Sequence, residues 1–101
     1  MTRKLAIYQA SNVVAVKDQV SSDLEGESVI LHLKSGTYYG LNDVGASIWN
    51  LIQEPKKVSE LREAILEEYE VEPEQCEREI LELLQQLAAK ELIEVKNEAV
   101  V

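Results

Sequence analysis

The sequence predicts an α+β domain in which a three-stranded antiparallel sheet precedes three helices. Three observations lead there. Apolar residues alternate with period two before Asn42 and recur at helical spacing after it. Isolated glycines punctuate the first part at hairpin spacing. The two prolines, Pro55 and Pro73, stand only where helical runs stop or start.

Val20 to Leu24 meets Glu27 to Leu33 across Glu25-Gly26, a tight hairpin, because glycine reaches positive φ without steric cost. In the second run Val29, Leu31 and Leu33 share one face while Ile30 and His32 share the other. Lys34-Ser35-Gly36 forms the next hairpin loop, with Gly36 placed for a bulge. Thr37 to Leu41 is the third strand, with Tyr39 and Leu41 on one face and Tyr38 and Gly40 opposite. Leu5 to Tyr8 and Val13 to Val16 are further extended runs without a place in this sheet.

Asn42 suits an N-cap, since its side chain can accept an orphan backbone N–H. Val44, Ile48, Leu51 and Ile52 then form an apolar stripe that ends before Pro55. Ser59 is expected to cap a second helix carrying Leu61, Ile65, Leu66 and Tyr69. A third helix runs from Pro73 to about Lys90, with Cys76, Ile80, Leu83, Leu84 and Leu87 on one side. Leu92 to Val95 closes the chain as a short strand. Three strands followed by three helices on short loops resemble a winged helix-turn-helix.

At 101 residues and 46% hydrophobic content, the chain suits a single domain, 1–101, with one core. Its net charge of −9 repels phosphates, which disfavours nucleic acid and anionic membranes as partners. Ten glutamates and two arginines lie between Ser59 and Leu83, the pattern of solvated helix faces. The single cysteine, Cys76, cannot form an internal disulfide and reads as a buried thiol. With no signal-peptide or membrane-spanning run, the expected compartment is the cytoplasm.

Catalytic, metal-binding and cofactor-binding constellations are not expected. His32 is the only histidine and reads as a surface or sheet-packing residue. Cys76 lacks the neighbouring Cys or His of a zinc site. The carboxylates read as helix surface rather than an acid/base pair, which needs a desolvated member. DNA binding fares no better. A recognition helix presents Arg, Lys, Asn or Gln to DNA, whereas the second helix offers Glu60, Arg62, Glu63, Glu67 and Glu68. The third offers Glu74, Glu77, Arg78, Glu79 and Glu82.

A peptide-binding surface remains. Leu81 and Ala88 widen the apolar sector of the third helix, beside the Ile80–Leu84–Leu87 line, toward Gln85 and Arg78. Leu81 can pack on the sheet or a terminal segment, or it can floor a groove between this helix and the third strand. In the second arrangement an extended peptide adds to the strand's free edge.

The run from Leu31 to Trp49 (strand, Ser35-Gly36, Tyr38-Tyr39, Leu41-Asn42, Val44-Gly45-Ala46, Ile48-Trp49) resembles the PqqD-like superfamily. Within it the chain is most similar to the stand-alone B1 proteins of lasso-peptide biosynthesis, over roughly residues 20–95. The resemblance implies a recognition element for ribosomally made peptides, without catalytic residues, that binds a precursor's leader beside the third strand and third helix. The candidate contacts at that place are Thr37, Tyr38, Tyr39, Gly40 and Leu41 on the strand, and Arg78, Leu81, Leu84, Gln85 and Ala88 on the helix. It also implies partners: a transglutaminase-like leader peptidase and an asparagine-synthetase-like cyclase, or in other relatives a radical-SAM enzyme. An acidic winged-helix transcription regulator is the competing reading.

Overall fold

The computed structural model describes residues 7–17, 19–24 and 27–97. Their elements are β1 (Asn12–Ala15), β2 (Gln19–Leu24), β3 (Glu27–His32), β4 (Tyr38–Leu41), α1 (Asp43–Leu51), β5 (Lys56–Lys57), α2 (Val58–Glu68), α3 (Pro73–Ala89) and β6 (Ile93–Lys96). The strands form two antiparallel sheets, ordered β2-β3-β4 and β5-β1-β6. The first is the expected sheet. The second corrects the expectation of one sheet: the run near Val13 pairs with both later strands, Asn12 lying opposite Lys57 on one side and Lys96 on the other.

In the first sheet β2 and β3 pair from Gln19↔His32 to Leu24↔Glu27, while the turn expected at Glu25-Gly26 lies outside the described residues. So does the start of the run from Leu5 to Tyr8, of which Ile7 is buried. The β3–β4 loop carries Gly36 at φ 70°, a left-handed conformation that glycine adopts without Cβ strain. Its N–H donates to the His32 carbonyl at 2.8 Å.

The register sets the faces. Ile30 stands opposite Tyr39 and Ser28 opposite Leu41, and Ile30 and Leu41 are buried. His32 shares that inward face and is 5% exposed, whereas Leu33 is 56% exposed. Of the two expectations for His32, surface or sheet-packing, the buried position beside Ile30 bears out the second and overturns the first. The ring is accommodated because Nδ1 accepts the Ser35 N–H at 3.2 Å and lies 3.1 Å from the Ser35 hydroxyl.

Asn42 caps α1, its Oδ1 accepting the Gly45 N–H at 2.8 Å. A cap of this kind is worth about 1 kcal/mol. Ser59 does not cap α2 but lies within it, the cap position falling two residues earlier at Lys57. The Val58 and Ser59 N–H groups are taken by the carbonyls of Ser11 and Gln9 at 3.0 and 3.1 Å, and Glu60 accepts the Lys57 N–H at 3.0 Å. The segment before β1 therefore does what a capping side chain would otherwise do.

Pro73 opens α3. At the other end Leu92 N–H bonds Leu87 O at 2.9 Å and Glu91 N–H bonds Ala88 O at 3.0 Å, with Glu91 at φ 58°. This is a Schellman closure with glutamate in the place where glycine is preferred. The core gathers Val13, Ile30, Ile48, Ile52, Leu61, Ile65, Ile80, Leu84, Leu87 and Leu92 from both sheets and all three helices. Each side chain contributes about 1.5–3 kcal/mol through burial. Cys76 is buried here as expected, and burial pushes its thiol pKa up, with Arg62 opposing.

Candidate peptide-binding groove

β4 is an edge strand, with β3 on one side only. The His32 N–H donates to the Thr37 carbonyl at 2.9 Å. Antiparallel strands alternate bonded and non-bonded pairs. Thr37, Tyr39 and Leu41 therefore turn their backbone groups toward β3, while Tyr38 and Gly40 turn theirs outward. Tyr38 is 67% exposed and Gly40 is exposed, with open space where a Cβ would stand. The Thr37 N–H donates to Ser35 Oγ at 3.3 Å, so the loop side chains brace the start of this edge.

Tyr39 links the edge to α3. Its hydroxyl donates to Gln86 Oε1, and Lys90 Nζ lies 5.9 Å from its ring centroid. Partial burial raises the pKa of this phenol. A cavity of about 220 Å³ opens beside it, lined by residues of β4 and α1 (Tyr39, Asn42, Val44, Gly45 and Ile48) and of α3 (Glu79, Glu82, Leu83 and Gln86). Gly45 lets α1 close onto β4, since a Cβ there would meet Leu41 Cδ2 and Asn42 Oδ1 at 3.2 Å.

The α3 candidates fall on different sides of that helix. At 100° per residue, Glu79, Leu83, Gln86 and Lys90 form one flank of the buried line Cys76–Ile80–Leu84–Leu87, and this flank stands beside β4. Arg78, Leu81, Gln85 and Ala88 point to the other side. There α3 meets α2 and the segment before β1, where Glu77 receives the Gln9 amide at 2.9 Å and approaches Arg62 at 4.0 Å. Leu81 and Ala88 are half-buried against the core, Arg78 and Gln85 are exposed, and Leu84 is wholly buried.

The structure thus brings Thr37 to Leu41 into one edge but does not set Leu81 beside it. Leu83, Gln86, Glu79 and Glu82 are the α3 residues that line the cavity beside β4, and the sequence reading did not set them there. Leu83 was legible only as part of the core stripe.

A second cavity, of about 400 Å³, lies between the sheets and is lined by Val14 to Lys17, His32, Lys34, Glu91 and Glu94. Among the described residues, no group of three His, Cys, Asp or Glu side chains is arranged to hold a metal ion.

The family model of coenzyme PQQ synthesis protein D (PqqD) matches residues 27–93. Two solved structures are similar. One, TbiB1 in complex with the TbiA(beta) leader peptide, is 39% identical, with a TM-score of 0.71, covering 86% of this chain and 99% of that one. The other, a lasso peptide synthetase B1 complexed with the leader peptide, shares the fold at 24% identity and a TM-score of 0.71, covering 81% of this chain and 96% of that one. No curated protein matches in sequence.

Proposed function

The chain belongs to the PqqD family, and from that premise we propose that it is a RiPP recognition element, a non-catalytic adaptor for the leader of a ribosomally made precursor peptide. The leader adds as a strand to β4, and the adaptor presents the precursor to processing enzymes. The observation that carries this reading is the outward-facing backbone of Tyr38 and Gly40 beside the α3 groove. Main-chain bonding to a free edge supplies affinity whatever the side chains, and pockets for alternate residues supply specificity. The relative at 39% identity, solved with the TbiA(beta) leader peptide, supports the same assignment.

The proposed contacts are Thr37 to Leu41 on the strand, with Leu83 and Gln86 on α3. Leu41 and Leu84 lie beneath as floor. Arg78, Leu81, Gln85 and Ala88 meet the peptide only if it wraps around the helix. Likeness to lasso B1 proteins favours a leader peptidase and a ring-closing cyclase as the cytoplasmic partners. α2 and α3 beside the β3–β4 hairpin support reading the single domain as a winged helix-turn-helix turned to peptide use. Exposed glutamates on both helices, Glu60, Glu63, Glu67, Glu74, Glu79 and Glu82, oppose duplex DNA. No described helix is long and apolar enough to cross a membrane.

Calorimetric titration with a synthetic leader peptide tests the proposal. Gly40→Pro removes the outward N–H, at an edge position where proline is tolerated. It should weaken binding about tenfold or more while leaving the circular dichroism unchanged. A folded Gly40→Pro protein that binds as tightly as the parent overturns strand addition.

A further inference from the structure

The groove beside β4 is electrically uneven, and this specifies something about the peptide it takes. Glu79, Leu83, Gln86 and Lys90 succeed one another along a single flank of α3. At 1.5 Å per residue they span roughly 16 Å, the length of about five residues of an extended strand. Lys90 and Gln86 stand at Tyr39. Glu79 and Glu82 share the cavity with Asn42, Val44 and Gly45, at the opposite end of β4.

No lysine or arginine lines that cavity. Glu79 accepts a hydrogen bond from the Gln75 amide at 3.2 Å, and Glu82 has no partner among the described residues. Side chains of an added strand alternate between its two faces. Those sharing the face of Tyr39 are directed toward α3, so successive ones stand over Tyr39, Leu83 and the two carboxylates.

We infer that the peptide strand paired with β4 carries a lysine or arginine seated over Glu79 and Glu82, at the Asn42 end of the groove, with an apolar residue two positions away over Leu83. This rests on the strand-addition reading and deepens it. A long basic side chain can lay its methylenes along Val44 and Leu83 while its charged end meets both carboxylates. An acidic residue at the same position would be repelled by two like charges, which gives discrimination as well as attraction. The chain's net charge of −9 adds a long-range field in the same sense.

The test is a positional-scanning library of synthetic ten-residue peptides, each with one position fixed as Lys, Gln or Glu. Binding is read by fluorescence anisotropy at low and at moderate salt. The proteins compared are the parent, the double variant Glu79→Gln/Glu82→Gln and Gly40→Pro. The parent should prefer Lys over Glu at one position by roughly tenfold at low salt, and less as salt screens the pair. The double variant should lose that preference, and Gly40→Pro should lose affinity for every series. If the double variant retains the parent's preference, or the parent shows none, while Gly40→Pro still abolishes binding, the charge inference fails and strand addition stands. If Gly40→Pro binds like the parent, or the parent holds no peptide of the library, both fail.

Discussion

The two flanks of α3 have similar residues and different surroundings. Leu81 and Leu83 both adjoin the buried line of that helix and both are half-buried. Leu81 lies on the flank turned toward α2 and the segment before β1, where Gln9, Arg62 and Glu77 meet. Leu83 faces the open edge of the other sheet and borders a cavity. A half-buried leucine is therefore a packing residue on one side of a helix and a candidate contact on the other. The neighbouring strand decides which.

Three groups of variants break or sharpen this contrast. The largest effect lies on the line between the flanks. Ile80→Glu places a carboxylate where the side chain is 1% exposed, and should cost about 3–5 kcal/mol, a large part of a small domain's stability. Chemical denaturation followed by circular dichroism checks this, and a near-native midpoint would refute the assignment of the core.

Next come the flanks themselves. Leu83→Ala should weaken leader binding roughly five- to thirtyfold, as loss of a groove contact. Leu81→Ala should cost about 1–2 kcal/mol of stability and leave the affinity of the folded protein within twofold. Thermal melts and leader titrations on both variants separate the outcomes. The reverse pattern would move the groove to the other flank.

Smaller effects mark the two ends of the groove helix. Glu91→Gly should stabilise by about 0.5–1 kcal/mol, because it relieves a side chain held at φ 58° in the closure of α3. Tyr39 and Cys76, whose pKa values burial raises, keep their protons to higher pH in the folded state than in the unfolded one. Folded protein then binds more protons, so stability should fall as pH rises past about 8.5 for the thiol and about 10 for the phenol. Denaturant midpoints measured from pH 7 to 10.5 would follow this decline, and Tyr39→Phe should flatten its upper part.

Much of the scaffold was legible because its signals are local. Asn42 announces α1, Pro73 announces α3, and the alternation through Tyr38 to Leu41 placed the right faces of β4. The second sheet was not legible, since Asn12 finds its partners at Lys57 and Lys96 and Lys56-Lys57 carries no strand pattern. Ser59 misled for a related reason: backbone carbonyls from Ser11 and Gln9 take the N–H groups of Val58 and of Ser59 itself, so the helix starts ahead of the residue expected to cap it. The α3 side of the groove was hidden by symmetry. Leucines flank the stripe on both sides, and periodicity alone does not say which side meets β4.

The pairing of β1 with β6 bears on the order in which the molecule assembles. Every partner within β2, β3 and β4 lies inside a span of 23 residues, whereas Asn12↔Lys96 closes a loop of more than 80. Local closures come early and long ones late, so the hairpins can form while synthesis is still under way. β1 precedes β6 by some eighty residues and must wait for it, and until then the edge that β6 will cover is open to other chains. Stalled nascent chains that stop before Ile93 should accordingly remain sensitive to protease near β1, even with the β2–β4 sheet already protected.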